Sequence, residues 1–437
     1  MADIAGSPFE WLSFDAEGGL TDAGAQGRLA ALLSQEITDL VVMSHGWKTD
    51  QAGAWALYEP LWAHVRDAWP EGAGRAWRGY AVAGVQWPSK TFRTDFDDPA
   101  PPSGGIAGLG ATAGGDGDLS PAAFETLLGD FVGLVGPGGE AVRTAARAAS
   151  GGIGSDQAGA LLRAIQAAIP TGSSSPDAEL EANRGPLDPA DPQGLFLDLM
   201  GPPAMTLAPS VGAAMGLGDA IGAVLAGPRG AIARALNQFT YYEMKARAGK
   251  VGEALGARVL GSLQPARPVR LHLIGHSFGA RLVTSAAASV GAAANLPLQS
   301  LTLLQAAFSH NALCASFGGG QVGAYPKVVG KVAGPISTTH THNDSACTIA
   351  YALASRLVRS NSEAIGDASD EFGAIGANGA INLAAAQVQA VPPMTAAGAF
   401  AFTPGKVHNF NADACVKDHM DVTNPAVARL VAAALSA

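Results

Sequence analysis

Ser277 stands in Gly275-His276-Ser277-Phe278-Gly279, the only G-x-S-x-G in the 437-residue chain. A serine hydroxyl is a weak nucleophile. To attack an acyl carbon it needs a base within hydrogen-bond reach, and the base needs a third group to orient it. The surroundings of Ser277 suit that task. Pro268-Val269-Arg270-Leu271-His272-Leu273-Ile274 reads as a buried strand, and Arg281-Leu282-Val283-Thr284-Ser285-Ala286 reads as a small-residue helix. Gly275 and Gly279 lack Cβ, so strand and helix can approach closely on either side of the turn. The helix N-terminus directs amides toward developing negative charge. In a chain with 56 glycines the bare motif carries little; the strand–turn–helix setting gives it weight.

The elements that must position this serine follow from the hydrophobic pattern. Apolar or alternating runs predict strands at Phe9–Asp15, Asp39–Ser44, Gly79–Trp87, Leu298–Ala307, within Lys327–Thr339 and at Lys406–Asn411. Helical spacing falls between them at Gln26–Ile37, Ala52–Trp69, Arg234–Leu263 and Ala426–Leu435, and again through Ile349, Leu353 and Leu357. Strands alternating with helices imply a mainly parallel sheet with helices on both faces, binding ligands beyond the carboxyl ends of its strands. Gly318–Gly323 matches G-x-G-x-x-G, but Ala324-Tyr325-Pro326 follows instead of a helix, so it reads as a loop and no dinucleotide cofactor is expected.

Between the third predicted core strand and the helix before the serine the sequence changes character. Helical pieces at Pro121–Val135, Glu140–Ala149 and Gln157–Ile169 are separated by Gly-, Ser- and Pro-rich runs. The predicted organisation is a core of residues 1–88 and 232–437 with a large helical insertion, 89–231, acting as a cap or lid. Pro203–Gly227 is small and apolar with two G-x-x-x-G spacings. Asp219 and Pro209 interrupt it, so it reads as a buried or lid helix rather than a membrane span.

A net charge of -10 disfavours nucleic acid as a partner. Cys314, Cys347 and Cys415 are too scattered for a disulfide framework or a cysteine zinc site. The first residues carry neither a basic nor an apolar signal region, so a cytoplasmic location with no transmembrane anchor is expected, contact with a membrane surface being left open.

The elbow, together with an apolar strand running into His45-Gly46-Trp47 and the tail His419-Met420-Asp421-Val422-Thr423-Asn424-Pro425, resembles the α/β-hydrolase superfamily, and within it the lipase/esterase-like members. The resemblance covers the core and not the insertion. It implies the α/β-hydrolase fold and the triad order Ser, Asp or Glu, His. By that order Ser277 is the nucleophile. His419, on the loop after the last strand, is the base, with His408 the rival. Asp344, after the strand beyond the one next to the elbow strand, is the acid, with Asp367, Asp370 and Glu371 as rivals. Matching positions make the Trp47 and Phe278 N–H groups the oxyanion donors. Gly46 permits the sharp turn, and His45 is a structural hydrogen-bonding residue.

His340, His342 and Asp344 also spell H-x-H-x-D, a pattern that can bind zinc. The triad accounts for Asp344, so no metal is expected. The implied activity is hydrolysis of a small carboxylic ester with an apolar acyl group. An amidase or peptidase using the same triad, or a non-catalytic binding module on this fold, are the alternatives.

Overall fold

The computed structural model describes residues 2–34, 36–47, 49–69, 77–89, 118–168, 191–200, 227–291, 295–344, 346–350 and 373–437. Their strands are β1 (Ala2–Ile4), β2 (Ser7–Ser13), β3 (Asp39–Ser44), β4 (Tyr80–Gln86), β5 (Arg270–His276), β6 (Leu298–Leu304), β7 (Ile336–His340) and β8 (Val407–Asn411). They form one sheet in the order β1-β2-β4-β3-β5-β6-β7-β8. Every neighbouring pair is parallel except β1 and β2. The protein is thus α/β with a mainly parallel sheet.

The sheet's direction of growth reverses at β3. From β3 the chain moves to β4 on one side, then returns to place β5 on the other. The carboxyl ends of β3 and β5 therefore flank a topological switch point, where open α/β sheets leave a crevice for ligands. Residues 45–47 leave β3 there, and Ser277 leaves β5.

The central strands are covered on both faces. All six residues of β3 are buried, as its uninterrupted apolar run requires in a doubly covered parallel sheet. Val41 and Met43 join a cluster with Val82, Ile274 and two helices, α2 (Gln51–Asp67) and the C-terminal helix Pro425–Ser436, through Tyr58, Trp62, Val427 and Val431. Leu40, Val42 and Leu273 point to the opposite face and are equally buried. Helix α1 (Ala25–Leu33) and the helix after Ser277, Phe278–Ser289, contact the strands from outside that cluster.

Several boundaries differ from the sequence expectation for local reasons. β1 forms a hairpin with β2 through Ala5 and Gly6, both at positive φ (47° and 86°); an alanine in a turn of that kind gives no sequence warning. β6 stops at Leu304 instead of Ala307 because Gln305 turns to φ 44°. The helix expected at Arg234–Leu263 runs from Pro228 to Ala254, then loosens into a π-turn at Leu255–Val259. A Cβ on Gly252 or Gly256 would lie 2.1 Å from the Leu282 carbonyl or 2.4 Å from that of Ala286, so these glycines let the helix touch the backbone of Phe278–Ser289.

The chain divides into two compact units. The first holds the described residues up to 89 and those from 244 onward, and the second holds 118–168, 191–200 and 227–243. The division at 243/244 falls inside the helix Pro228–Ala254, as does the sequence-derived boundary at 231/232. The second unit packs Pro121–Val135, Gly139–Ala149, Ser155–Ala168 and Pro192–Met200 around Leu128, Phe131, Leu161, Phe196 and Leu236. Ser120 caps its first helix by accepting from the Ala123 N–H, with Pro121 in the first turn. Asp118 accepts from Arg229 Nε (3.0 Å) and the Gly230 N–H (2.7 Å), joining the two ends of the unit. Most of the Pro203–Gly227 stretch, the helix around Leu353 and Leu357, and Asp367, Asp370 and Glu371 lie outside the described residues. Among those described, no helix is long and apolar enough to cross a membrane.

Near the amino ends of the central strands, His272 connects Asp39 and Ser300. Its Nε2 lies 2.9 Å from Asp39 Oδ1 and its Nδ1 lies 2.7 Å from Ser300 Oγ. All three residues are fully buried. Burial pushes the Asp39 carboxyl up, but His272, Arg270 and Thr38 outweigh it and hold the group down to about 2.

Candidate active site

Ser277 is the residue between β5 and the helix Phe278–Ser289, and it has φ 57° and ψ -125°. A non-glycine residue held at positive φ costs on the order of 1–3 kcal/mol and persists only where its surroundings impose it. Here the backbone does so. The Ser277 N–H donates to the Leu304 carbonyl (3.1 Å), and its carbonyl accepts from Ala280 (3.1 Å) and Ala307 (3.3 Å). The effect is to lift the hydroxyl off the sheet beyond the strand end.

The flanking glycines are required by contact. A Cβ on Gly275 would meet the Gly279 carbonyl at 2.4 Å and Ala280 Cα at 2.5 Å. One on Gly279 would meet the carbonyls of Ser44 and His45 at 2.3 and 2.4 Å. Gly46 touches the serine itself: its Cβ would stand 2.7 Å from Ser277 Cβ and 3.1 Å from Oγ. The 45–47 turn therefore lies directly against Ser277, with Trp47 next along the chain. Phe278 is the first residue of the following helix, and the Trp47 and Phe278 rings stand 6.0 Å apart.

His45 is buried beneath this turn. Its N–H donates to Tyr58 Oη (2.7 Å), and its carbonyl accepts from the Trp87 indole (3.0 Å). Its Nδ1 is 2.8 Å from the Gly46 carbonyl, and its ring stacks on Trp87. Burial pulls its pKa down to about 4, so the ring is neutral and donates from Nδ1 to that carbonyl.

His419 reaches Ser277 from the loop after β8. Ser277 Oγ lies 2.8 Å from His419 Nε2, and His419 Nδ1 lies 2.8 Å from Asp344 Oδ2. The three residues expected to act together thus form one hydrogen-bonded line. The acid end is fully buried, while the His419 side chain keeps 16% of its surface exposed. With Nδ1–H donating to the carboxylate, Nε2 is left to accept the serine proton. Burial alone would push the Asp344 carboxyl up. The His419 charge and hydrogen bond, the Cys347 N–H and the Gln305 amide outweigh it and hold the group below the ordinary carboxylate range.

The loops carrying Asp344 and His419 are stitched together. Asn343 Nδ2 donates to the carbonyls of Asp413 (2.9 Å) and Val416 (2.8 Å). Asp413 accepts from Thr341 Oγ1 (2.7 Å), the His342 N–H (2.9 Å) and His342 Nδ1 (3.1 Å). His276 adds a third tie, its Nε2 lying 2.8 Å from the His419 carbonyl. Burial, then the nearby His419, pulls the His276 pKa down to about 3, so it is a neutral donor.

The rival base lies elsewhere. His408 is inside β8, its Nε2 accepting from the Thr403 N–H (3.0 Å) and its Nδ1 3.3 Å from the Ile336 carbonyl. His340 and His342 do not converge with Asp344 either. Among the described residues, the His, Cys, Asp and Glu donor atoms gathered within 4.8 Å are those of Asp344, Cys347 and His419. Sequence reasoning passed over Gln305 and Cys347, which both touch Asp344. For Gln305 there was one usable signal, a polar residue directly after an apolar strand beside the elbow strand.

No protein-family model, no curated protein and no solved structure matches the chain.

Proposed function

We propose that this protein is a serine hydrolase of carboxylic esters built on the α/β-hydrolase fold. The observation that carries the reading is the Ser277–His419–Asp344 line, with both hydrogen bonds at 2.8 Å and its serine at positive φ beyond β5. In this reading Ser277 Oγ attacks the acyl carbon while its proton passes to His419 Nε2. Asp344 fixes the imidazole tautomer and stabilises the imidazolium. The backbone N–H groups of Trp47 and Phe278 receive the oxyanion. The alcohol leaves with the proton from His419, and water, activated by the same histidine, releases the acid from Ser277. Trp47, in the turn against Ser277, and Met420, 59% exposed and next to His419 in sequence, favour a substrate with an apolar part.

A fluorophosphonate probe tests the chemistry and p-nitrophenyl esters and anilides of graded acyl length test the bond. The expected result is one adduct, on Ser277, and faster turnover of esters than anilides. A folded protein that takes no adduct is a binding module instead; comparable or faster anilide turnover makes it an amidase.

A further inference from the structure

Gln305 follows β6 and is fully buried. Its backbone occupies the left-handed region, φ 44°, without being Gly or Asn, a conformation that costs free energy and needs enforcement. The enforcement is local. The Gln305 N–H donates to Thr339 Oγ1 (3.2 Å), and a Cβ on the neighbouring Gly376 would stand 2.7 Å from the Gln305 carbonyl carbon. The result of the turn is to bring the side chain beneath Asp344. Gln305 Nε2 lies 3.0 Å from Asp344 Oδ2, the oxygen that also accepts from His419 Nδ1, and 3.4 Å from the Gly376 carbonyl. Gln305 Oε1 is buried without a partner among the described residues. Packing alone would not select this side chain, because an apolar one of the same length would avoid the orphaned oxygen. What the amide supplies is the bond to Asp344.

We propose that Gln305 is a positioning residue for Asp344, holding the carboxylate in the plane in which Oδ2 meets His419. The inference rests on the hydrolase reading above. Two donors fix the carboxylate besides His419: Gln305 Nε2 on Oδ2, and the Cys347 N–H on Oδ1 at 2.9 Å. Without the amide the group is held by the Cys347 N–H at one oxygen and by His419 itself, and it can rotate about its own axis. The titratable groups around Asp344 are His419, the buried Cys347 thiol and His276. Gln305, like the Cys347 N–H, is an uncharged neighbour that favours the ionised form, so its loss raises the pH at which Asp344 takes up a proton.

Gln305→Met keeps the length and removes the donor. Gln305→Asn tolerates the left-handed backbone but withdraws the amide from reach. For both we expect kcat on the best ester substrate to fall about 10- to 100-fold, with KM and Tm little changed. An independent readout needs no turnover: the downfield imidazole Nδ1 proton of His419 in NMR spectra of the free protein. It should be sharp in the wild type and shifted or broadened in both variants. Unchanged kcat and Nδ1 resonance in folded variants would overturn the role of Gln305, and would leave the hydrolase reading intact if wild-type protein still labels on Ser277. Absence of wild-type labelling overturns the hydrolase reading, while the Nδ1 resonance still decides whether Gln305 positions the pair.

Discussion

The carbonyl of His419 is held at 2.8 Å by Nε2 of His276, the residue immediately before Ser277. His419 and Ser277 are therefore fastened twice: through the bond between their side chains, and through a second bond one residue back along the chain. The second does not depend on the protonation state of His419, because its acceptor is the backbone carbonyl.

Removing the reacting groups should separate chemistry from folding. Ser277→Ala and His419→Ala should lose nearly all ester hydrolysis while circular dichroism and Tm stay close to wild type. Asp344→Asn should lose on the order of 10³- to 10⁴-fold in kcat, because an amide favours the wrong imidazole tautomer. Substantial activity in folded His419→Ala, combined with its loss in His408→Ala, would move the base to β8.

Gly46→Ala places a methyl group where 2.7 Å separates the Cβ position from Ser277 Cβ. The serine or the 45–47 turn must shift. Since the proposed oxyanion donor Trp47 is the next residue, kcat should fall by about 100-fold or more, with a smaller change in KM. Steady-state kinetics on one ester is the check, and wild-type kcat would show that the turn yields without cost.

His45 and His276 are neutral in the fold because burial disfavours their charged forms, with pKa values pulled from 6.5 to about 4 and about 3. Below about pH 6.5 the unfolded chain binds protons that the folded chain cannot yet accept. Their contribution is thus complete above pH 6.5 and declines as the pH falls toward their folded values, by up to about 1.4 kcal/mol per pH unit for each ring. Urea midpoints should drop between pH 7.5 and 5.5. His276→Phe should drop less steeply than wild type over that range; parallel curves would mean that His276 takes up protons equally in the folded and unfolded states.

How far the site can be read in sequence depends on whether its parts are local. Ser277 is legible because an apolar strand, a glycine pair and a helix surround it within a dozen residues. Asp344 and His419 are legible as polar residues following apolar strands, and their place on the loops after those strands, with His408 inside the last one, sets them apart from their rivals. The mainly parallel sheet follows from Asp39–Ser44 and Leu271–Ile274, whose continuous apolar runs demand cover on both faces. The supports are another matter. His276 meeting the His419 carbonyl, and Asn343 meeting Asp413, depend on which loops become neighbours in space. Gln305 is hidden because nothing in its residue type announces a left-handed backbone. Ala5 hides the β1–β2 hairpin for the same reason.

The buried trio Asp39, His272 and Ser300 has a consequence for what makes a serine reactive. The described residues include two carboxylate–imidazole–hydroxyl relays with closely similar spacings, at opposite ends of β5. In the inner one all three residues lie within strands and are fully buried, and the proton has no acyl group to follow. It works as a clasp between β3, β5 and β6. One chain thus carries its own control experiment: with the three residue types held constant, the sharp turn and the opening to solvent distinguish a candidate reagent from a rivet.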